Sequence, residues 1–203
     1  MIDPRIYEMF REIGDALYKA DMVSSHGGNL SIRLGDRVII KRRGAMLGIL
    51  KPHDLVETRL EKSDSGVVLA STELLVHRNI YLNTPAQAVC HCHPRAAIAL
   101  SLSREEIVPI DNEASYVLKK IPVITEEFAS GTPALANKVS NALRDYKIIM
   151  LRGHGSFAIG QTLDETFFWS STLEEACQII MFAKQFNEPF IEYRKMSDSY
   201  SKF

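Results

Sequence analysis

Apolar and polar positions along the chain follow two periods, and the switches between them mark out the elements. Near the N-terminus Ile6, Met9, Phe10, Ile13 and Leu17 recur at three- and four-residue spacing, the stripe of an amphipathic helix. Asp3 is placed to cap it, with Pro4 at the first helical position, where a missing N–H costs nothing. The run Ser24-Ser25-His26-Gly27-Gly28-Asn29 suits neither period and reads as a tight loop. Residues 30–33 and 37–41 read as short strands around the Leu34-Gly35-Asp36 turn. A second turn cluster at 63–66 precedes a predicted strand at 67–70 and a helix from about 72 to 82. Residues 88–93 form a strand that Pro94 ends, followed by a helix to about 102.

Beyond a looser region, Thr132-Pro133 opens a predicted helix to about 145. Strands at 147–151 and 156–159 flank Arg152-Gly153-His154-Gly155. Thr162-Leu163-Asp164-Glu165 is a capping box for a last helix to about 186, and 187–203 form a polar tail. Alternation of strands and helices predicts a single α/β domain over residues 1–203, with helices on both faces of a central sheet.

Composition narrows the function classes. A chain of 203 residues can bury one sizeable core, and 46% apolar with 24% charged residues is ordinary for a globular domain. The net charge of −1, without a basic run, argues against nucleic acid or an anionic membrane as partner. No apolar stretch is long enough to span a bilayer, and the first residues lack a signal-peptide layout. Cys90, Cys92 and Cys177 cannot form a full disulfide set, so a reducing cytoplasm is expected.

Side chains two apart on a strand share a face, so His91 and His93 project together while Cys90 and Cys92 face the opposite way, as buried thiols. Two imidazoles so placed can share one metal ion, although the spacing alone is a weak signal. His154, between Gly153 and Gly155, sits where an ion or ligand has room to approach, or where a histidine merely tolerates an unusual turn. Glu73, in the predicted first helical turn, reads either as a ligand or as an electrostatic favourite of helix N-termini. His77 lies one helical turn further on and reads as a half-buried packing residue rather than a partner of the ligands. His53 reads as solvated. Gly28, Asn29, Ser71 and Thr72 offer small donors suited to an anion, or form an ordinary turn and cap.

Taken in order, Gly-Gly-Asn29-Leu-Ser31, Ser71-Thr72-Glu73, His91-Cys-His93-Pro94 and Gly153-His154-Gly155 resemble the class II aldolase/adducin-head family, from about residue 6 to residue 186. Leu47-Gly48 and Lys119-Lys120-Ile121-Pro122 resemble its archaeal-type aldolases. The resemblance implies a central, mostly antiparallel, mixed sheet and zinc, or manganese or cobalt, on Glu73, His91, His93 and His154. It implies cleavage of a fuculose-1-phosphate-like sugar phosphate through an enediolate, with Glu73 moving the proton. Other members are decarboxylases or epimerases, which would act on an acidic sugar derivative, and adducin heads are non-catalytic interaction modules. The family forms homotetramers with sites between subunits.

Two departures mark this chain. Lys41-Arg42-Arg43-Gly44 stands where the family has Thr-Pro-Ser/Thr-Gly, so Arg43 and Gly44 join the candidate phosphate-binding residues, with Arg43 gripping an anion or filling its place. The family's catalytic tyrosine has no clear counterpart; Asn112 or Glu113 stands there, with Tyr116 nearby, making Glu113 and Tyr116 the candidates for its role.

Overall fold

The two periods resolve into six α-helices and eight strands among residues 2–62, 64–128 and 130–195, which the computed structural model describes. Helix α1 (Pro4–Lys19) opens as expected, with the Asp3 carboxylate accepting from the Arg5 N–H at 2.8 Å. Its Phe10 and Leu17 are fully buried, which contributes about 1.5–3 kcal/mol each. Met9, at the margin of the stripe, stays exposed.

Strands β1 (Asn29–Leu34), β2 (Arg37–Lys41), β3 (Leu55–Arg59) and β4 (Ala88–Cys92) make one half of a single sheet. β5 (Glu106–Ile107), β6 (Ile121–Ile124), β7 (Ile148–Leu151) and β8 (Gly155–Gly160) make the other. The order is β3-β2-β1-β4-β8-β7-β6-β5, antiparallel throughout except for the parallel pair β6 and β7. The remaining helices are α2 (Leu74–Asn83), α3 (Arg95–Ser101), α4 (Asn112–Val117), α5 (Pro133–Ala142) and α6 (Leu163–Gln185).

Strand alternation splits the core into two layers. Cys90 and Cys92 join Phe10, Leu17, Trp169 and Leu173 beneath α1, α3 and α6. Val89, Ile149 and Phe157 pack from the opposite face against Ile80, Tyr81, Leu135 and Val139 of α2 and α5. The expected arrangement, helices on both faces of a mixed sheet, is thus present.

Several boundaries differ from the sequence reading. Residues 67–70 are not a strand. The Asp64 carboxylate accepts from the Gly66 N–H at 2.9 Å and the Arg59 N–H at 2.8 Å, which turns the chain into a 3-10 helix, Ser65–Val68. An isolated bridge between Ala70 and Arg42 is the segment's one β contact among the described residues. The looser region contains β5, α4 and β6, each too short to show a period. Edge strand β3 lay unrecognised in the polar stretch after His53. Ser63, in the predicted turn cluster, and 196–203 of the predicted tail lie outside the described residues.

Candidate metal centre

Strand β4 lies between β1 and β8, with His91 opposite Asn29 on one side and Phe157 on the other. The Phe157 ring stacks on the His91 imidazole at 4.3 Å. His91 Nδ1 donates to the Ser156 carbonyl at 2.9 Å. Because a carbonyl only accepts, this bond puts the proton on Nδ1 and leaves the Nε2 lone pair facing outward. His93 follows the strand end, its backbone N–H held by the Met22 carbonyl at 2.7 Å, and its Nε2 lies 3.0 Å from His91 Nε2.

The third histidine arrives on the β7–β8 turn. Gly153 adopts φ 68°, a conformation most side chains resist, and its N–H donates to Ser101 Oγ at 2.9 Å. The neighbouring Arg152 guanidinium ties the turn to the Ser101 carbonyl and to Thr125 Oγ1. His154 thereby meets the other two, with one ring nitrogen of each histidine within 4.8 Å of the others. Gly155 makes this approach sterically feasible, since a Cβ there would press on the Cys92 carbonyl and on both the His91 and His93 rings.

Glu73 supplies the carboxylate. It is the residue preceding α2 and makes no capping bond, so its carboxylate is not spent on the helix terminus. Its Oε2 lies 3.3 Å from His91 Nε2 and accepts from Asn29 Nδ2 at 3.0 Å. Burial pushes the Glu73 carboxyl upward, against the lowering effect of the Asn29 donor. Burial also depresses His91 and His93 to about 3, reinforced by His154 in both and by His91 in the case of His93, so both imidazoles are neutral donors.

The donor set suits a divalent ion. Ligand atoms at about 2.0–2.1 Å around tetrahedral zinc stand about 3.3 Å apart. The 3.0 Å between His91 and His93 and the 3.3 Å between His91 and Glu73 are close to that separation. Nδ1 of His154 is buried without a hydrogen-bond partner among the described residues.

Gly28, Asn29, Arg43, Gly44, Ser71 and Thr72 share one cavity of about 270 Å³ with Glu73 and the three histidines. The backbone stitches its walls together: the Ser71 N–H donates to the Lys41 carbonyl at 3.1 Å, and the Arg43 N–H to the Leu69 carbonyl at 2.9 Å. Ser71 Oγ accepts from the Glu73 N–H at 3.3 Å. Arg42 is committed to Asp54 at 2.8 Å, whereas the exposed Arg43 guanidinium bonds no other described group. The wall also includes His26 of the predicted loop, and two residues that the sequence reading did not single out, Ser130 and the buried Lys41. A lysine inside an otherwise apolar strand, Val38-Ile39-Ile40-Lys41, was the available signal for the last.

Glu113 and Tyr116 lie on α4 and do not line this cavity; Tyr116 is 65% exposed, in a cleft with Lys120 and Tyr146. His53 is exposed, as expected. His77 is fully rather than half buried, its Nδ1 joined to Ser31 Oγ at 2.6 Å and that hydroxyl to Tyr81 OH at 2.7 Å. This chain of bonds fastens α2, and with it Glu73, to β1.

Residues 8–181 match the model of the class II aldolase and adducin N-terminal domain family. An L-fuculose phosphate aldolase of Methanococcus maripaludis is 32% identical over 174 residues, covering 84% of this chain and 93% of that protein. A 3-oxo-tetronate 4-phosphate decarboxylase of Cupriavidus necator is 28% identical over 189 residues, covering 90% and 86%. The crystal structure of L-fuculose-1-phosphate aldolase from Thermus thermophilus superimposes with a TM-score of 0.87 at 35% identity, covering 93% of this chain and all of that one.

Proposed function

The chain belongs to the class II aldolase and adducin N-terminal domain family and is a metal-dependent lyase; on that basis we propose that it is a zinc-dependent aldolase. Its substrate in this reading is a sugar phosphate of the fuculose 1-phosphate kind, cleaved to dihydroxyacetone phosphate and an aldehyde. One observation carries the reading: four metal-ligand side chains and a set of anion donors open into the same cavity. Manganese or cobalt would satisfy the same nitrogen and oxygen donors.

His91, His93, His154 and Glu73 would hold the ion, which when bound supplies charge stabilisation for the carbonyl and for the enediolate left by C–C cleavage. The protein's own groups do the rest. Asn29 and the Gly28 loop face the substrate phosphate together with Ser71, Thr72 and Gly44. Arg43 adds a planar cation at the opening. Glu73, buried and with its proton affinity raised, would take the proton from the hydroxyl on the carbon that becomes the aldehyde and, once the C–C bond has broken, deliver it to the carbanion carbon of the dihydroxyacetone phosphate half. Phe157 and the wall of β1 keep water from the ligand side.

A second reading, decarboxylation or epimerisation of an acidic sugar derivative, draws on the cationic Lys41 and Arg43 in the wall and on the decarboxylase relatives. The intact ligand set speaks against a non-catalytic adducin-head-like role. Incubating zinc-loaded protein with phosphorylated ketoses and acidic analogues, and reading aldehyde and carbon dioxide release, separates the readings. Aldehyde from a ketose 1-phosphate is expected; carbon dioxide alone would favour the second.

A homotetramer is part of the proposal, with Glu113 and Tyr116 of one subunit approaching the cavity of the next, which would account for neither reaching the cavity of its own chain. A cytoplasmic setting agrees with three buried, unpaired cysteines. No described helix is long and apolar enough to cross a membrane.

A further inference from the structure

Lys41 is a charged residue to which the proposed aldolase chemistry gives no role. It ends β2 at the cavity wall with only 3% of its surface exposed. Its ammonium donates to the Ala45 carbonyl at 2.8 Å and to the His26 carbonyl at 3.1 Å. These carbonyls flank the two glycine turns, Gly27-Gly28 and Gly44, which line the cavity. No carboxylate forms an ion pair with Lys41 among the described residues, since Asp54 is committed to Arg42 and Glu73 to Asn29 and His91. Burial lowers its proton affinity to about 8, partly opposed by Asp54 and Glu73, which still leaves it mostly charged at neutral pH.

A buried ammonium without a counter-charge is expensive, and such groups are normally paired. Two of its three protons are fixed by carbonyls, which hold Nζ in place and leave the third unspent. With Lys41 and Arg43 against the single carboxylate of Glu73, the cavity wall carries excess positive charge even before any ion binds.

We propose that Lys41 is a specificity-determining residue that binds an oxyanion of the substrate, a phosphate monoester, and seats the two glycine turns around it. The proposal rests on the anion-cavity part of the function given above. It does not depend on which carbon–carbon bond is cleaved.

The test is calorimetric titration of zinc-loaded protein with inorganic phosphate, with glycolate in parallel as the carboxylate probe. Loss of a charge-assisted bond predicts at least tenfold weaker phosphate binding by Lys41→Met and Lys41→Thr, at unchanged zinc content, and partial retention by Lys41→Arg. Equal phosphate affinity in all four proteins would reduce Lys41 to a structural staple and overturn the proposal, as would weakening confined to glycolate. Should the neutral variants not fold, the ¹⁵Nζ signal of Lys41 in the wild type, assigned by its loss in Lys41→Arg, must move on saturation with phosphate; a static signal overturns the proposal. With a ketose phosphate that the enzyme accepts, KM should rise in Lys41→Thr more than kcat falls. The phosphate titration reads the cavity without turnover, so a failed aldolase assay leaves it interpretable.

Discussion

Gly155 offers a direct test of whether packing, rather than ligand identity alone, sets the metal centre. A Cβ built there would stand inside contact distance of the Cys92 carbonyl, 2.7 Å from His93 Cδ2 and 3.0 Å from His91 Cε1. The carbonyl belongs to the β4–β8 ladder and cannot swing away, so the backbone at residue 155 must shift from β4, and the two rings packed against it are displaced as well. Overpacking of this kind costs about 1–3 kcal/mol, which in a chain of this size lowers Tm by roughly 2–12 °C. Ring displacement also exceeds the tolerance of about 0.5 Å for a productive constellation, and support lost around metal ligands weakens affinity by about tenfold to a hundredfold. Gly35 is the control: it adopts φ 60° in the β1–β2 turn, and a Cβ added there would meet nothing within 4 Å. Gly35→Ala should therefore lose about 1–2 kcal/mol through backbone strain and leave the metal untouched. The assays are thermal melting and competition for zinc against a chromophoric chelator. Similar melting losses with a zinc-affinity loss in Gly155→Ala only are expected. If Gly155→Ala binds zinc within about threefold of Gly35→Ala, the packing argument is wrong.

Glu73→Gln should retain most of its zinc while kcat falls by about 10²–10⁴, because the amide still fills the space but can neither take up nor release the proton; His91→Ala, measured alongside, should lose the metal itself. Arg43→Ser, which restores the family's small hydroxyl, should lower kcat/KM about tenfold to a hundredfold at constant zinc content. A gain on sugar phosphates would instead mark Arg43 as an obstruction of the phosphate seat. Static light scattering should report about four chain masses, and Tyr116→Phe in the tetramer should reduce turnover without releasing zinc; a fully active monomer would remove the interface from the proposal.

Local chemistry was legible in residue order alone. The alternation of β4 placed His91 with His93 and sent Cys90 and Cys92 to the opposite core, because a strand's period of two leaves no other choice. Asp3, Thr132 and Thr162 cap the helices they were expected to cap, since a cap depends on three or four neighbouring residues. Four short motifs in order sufficed to identify the family.

Convergence across the sheet required the folded chain. Lys41 and His77 read as an ordinary strand end and a packing residue until β1 and α2 brought Asn29, Ser31 and Glu73 beside them. The strand predicted at 67–70 failed because the Asp64 carboxylate captures nearby N–H groups, a competition that apolar pattern does not register. Asn29 and Glu73 are 44 positions apart, and His91 and Ser156 are 65 apart. Hydrogen bonds over such separations depend on strand order and register, which many distant contacts fix together and no local window of sequence contains.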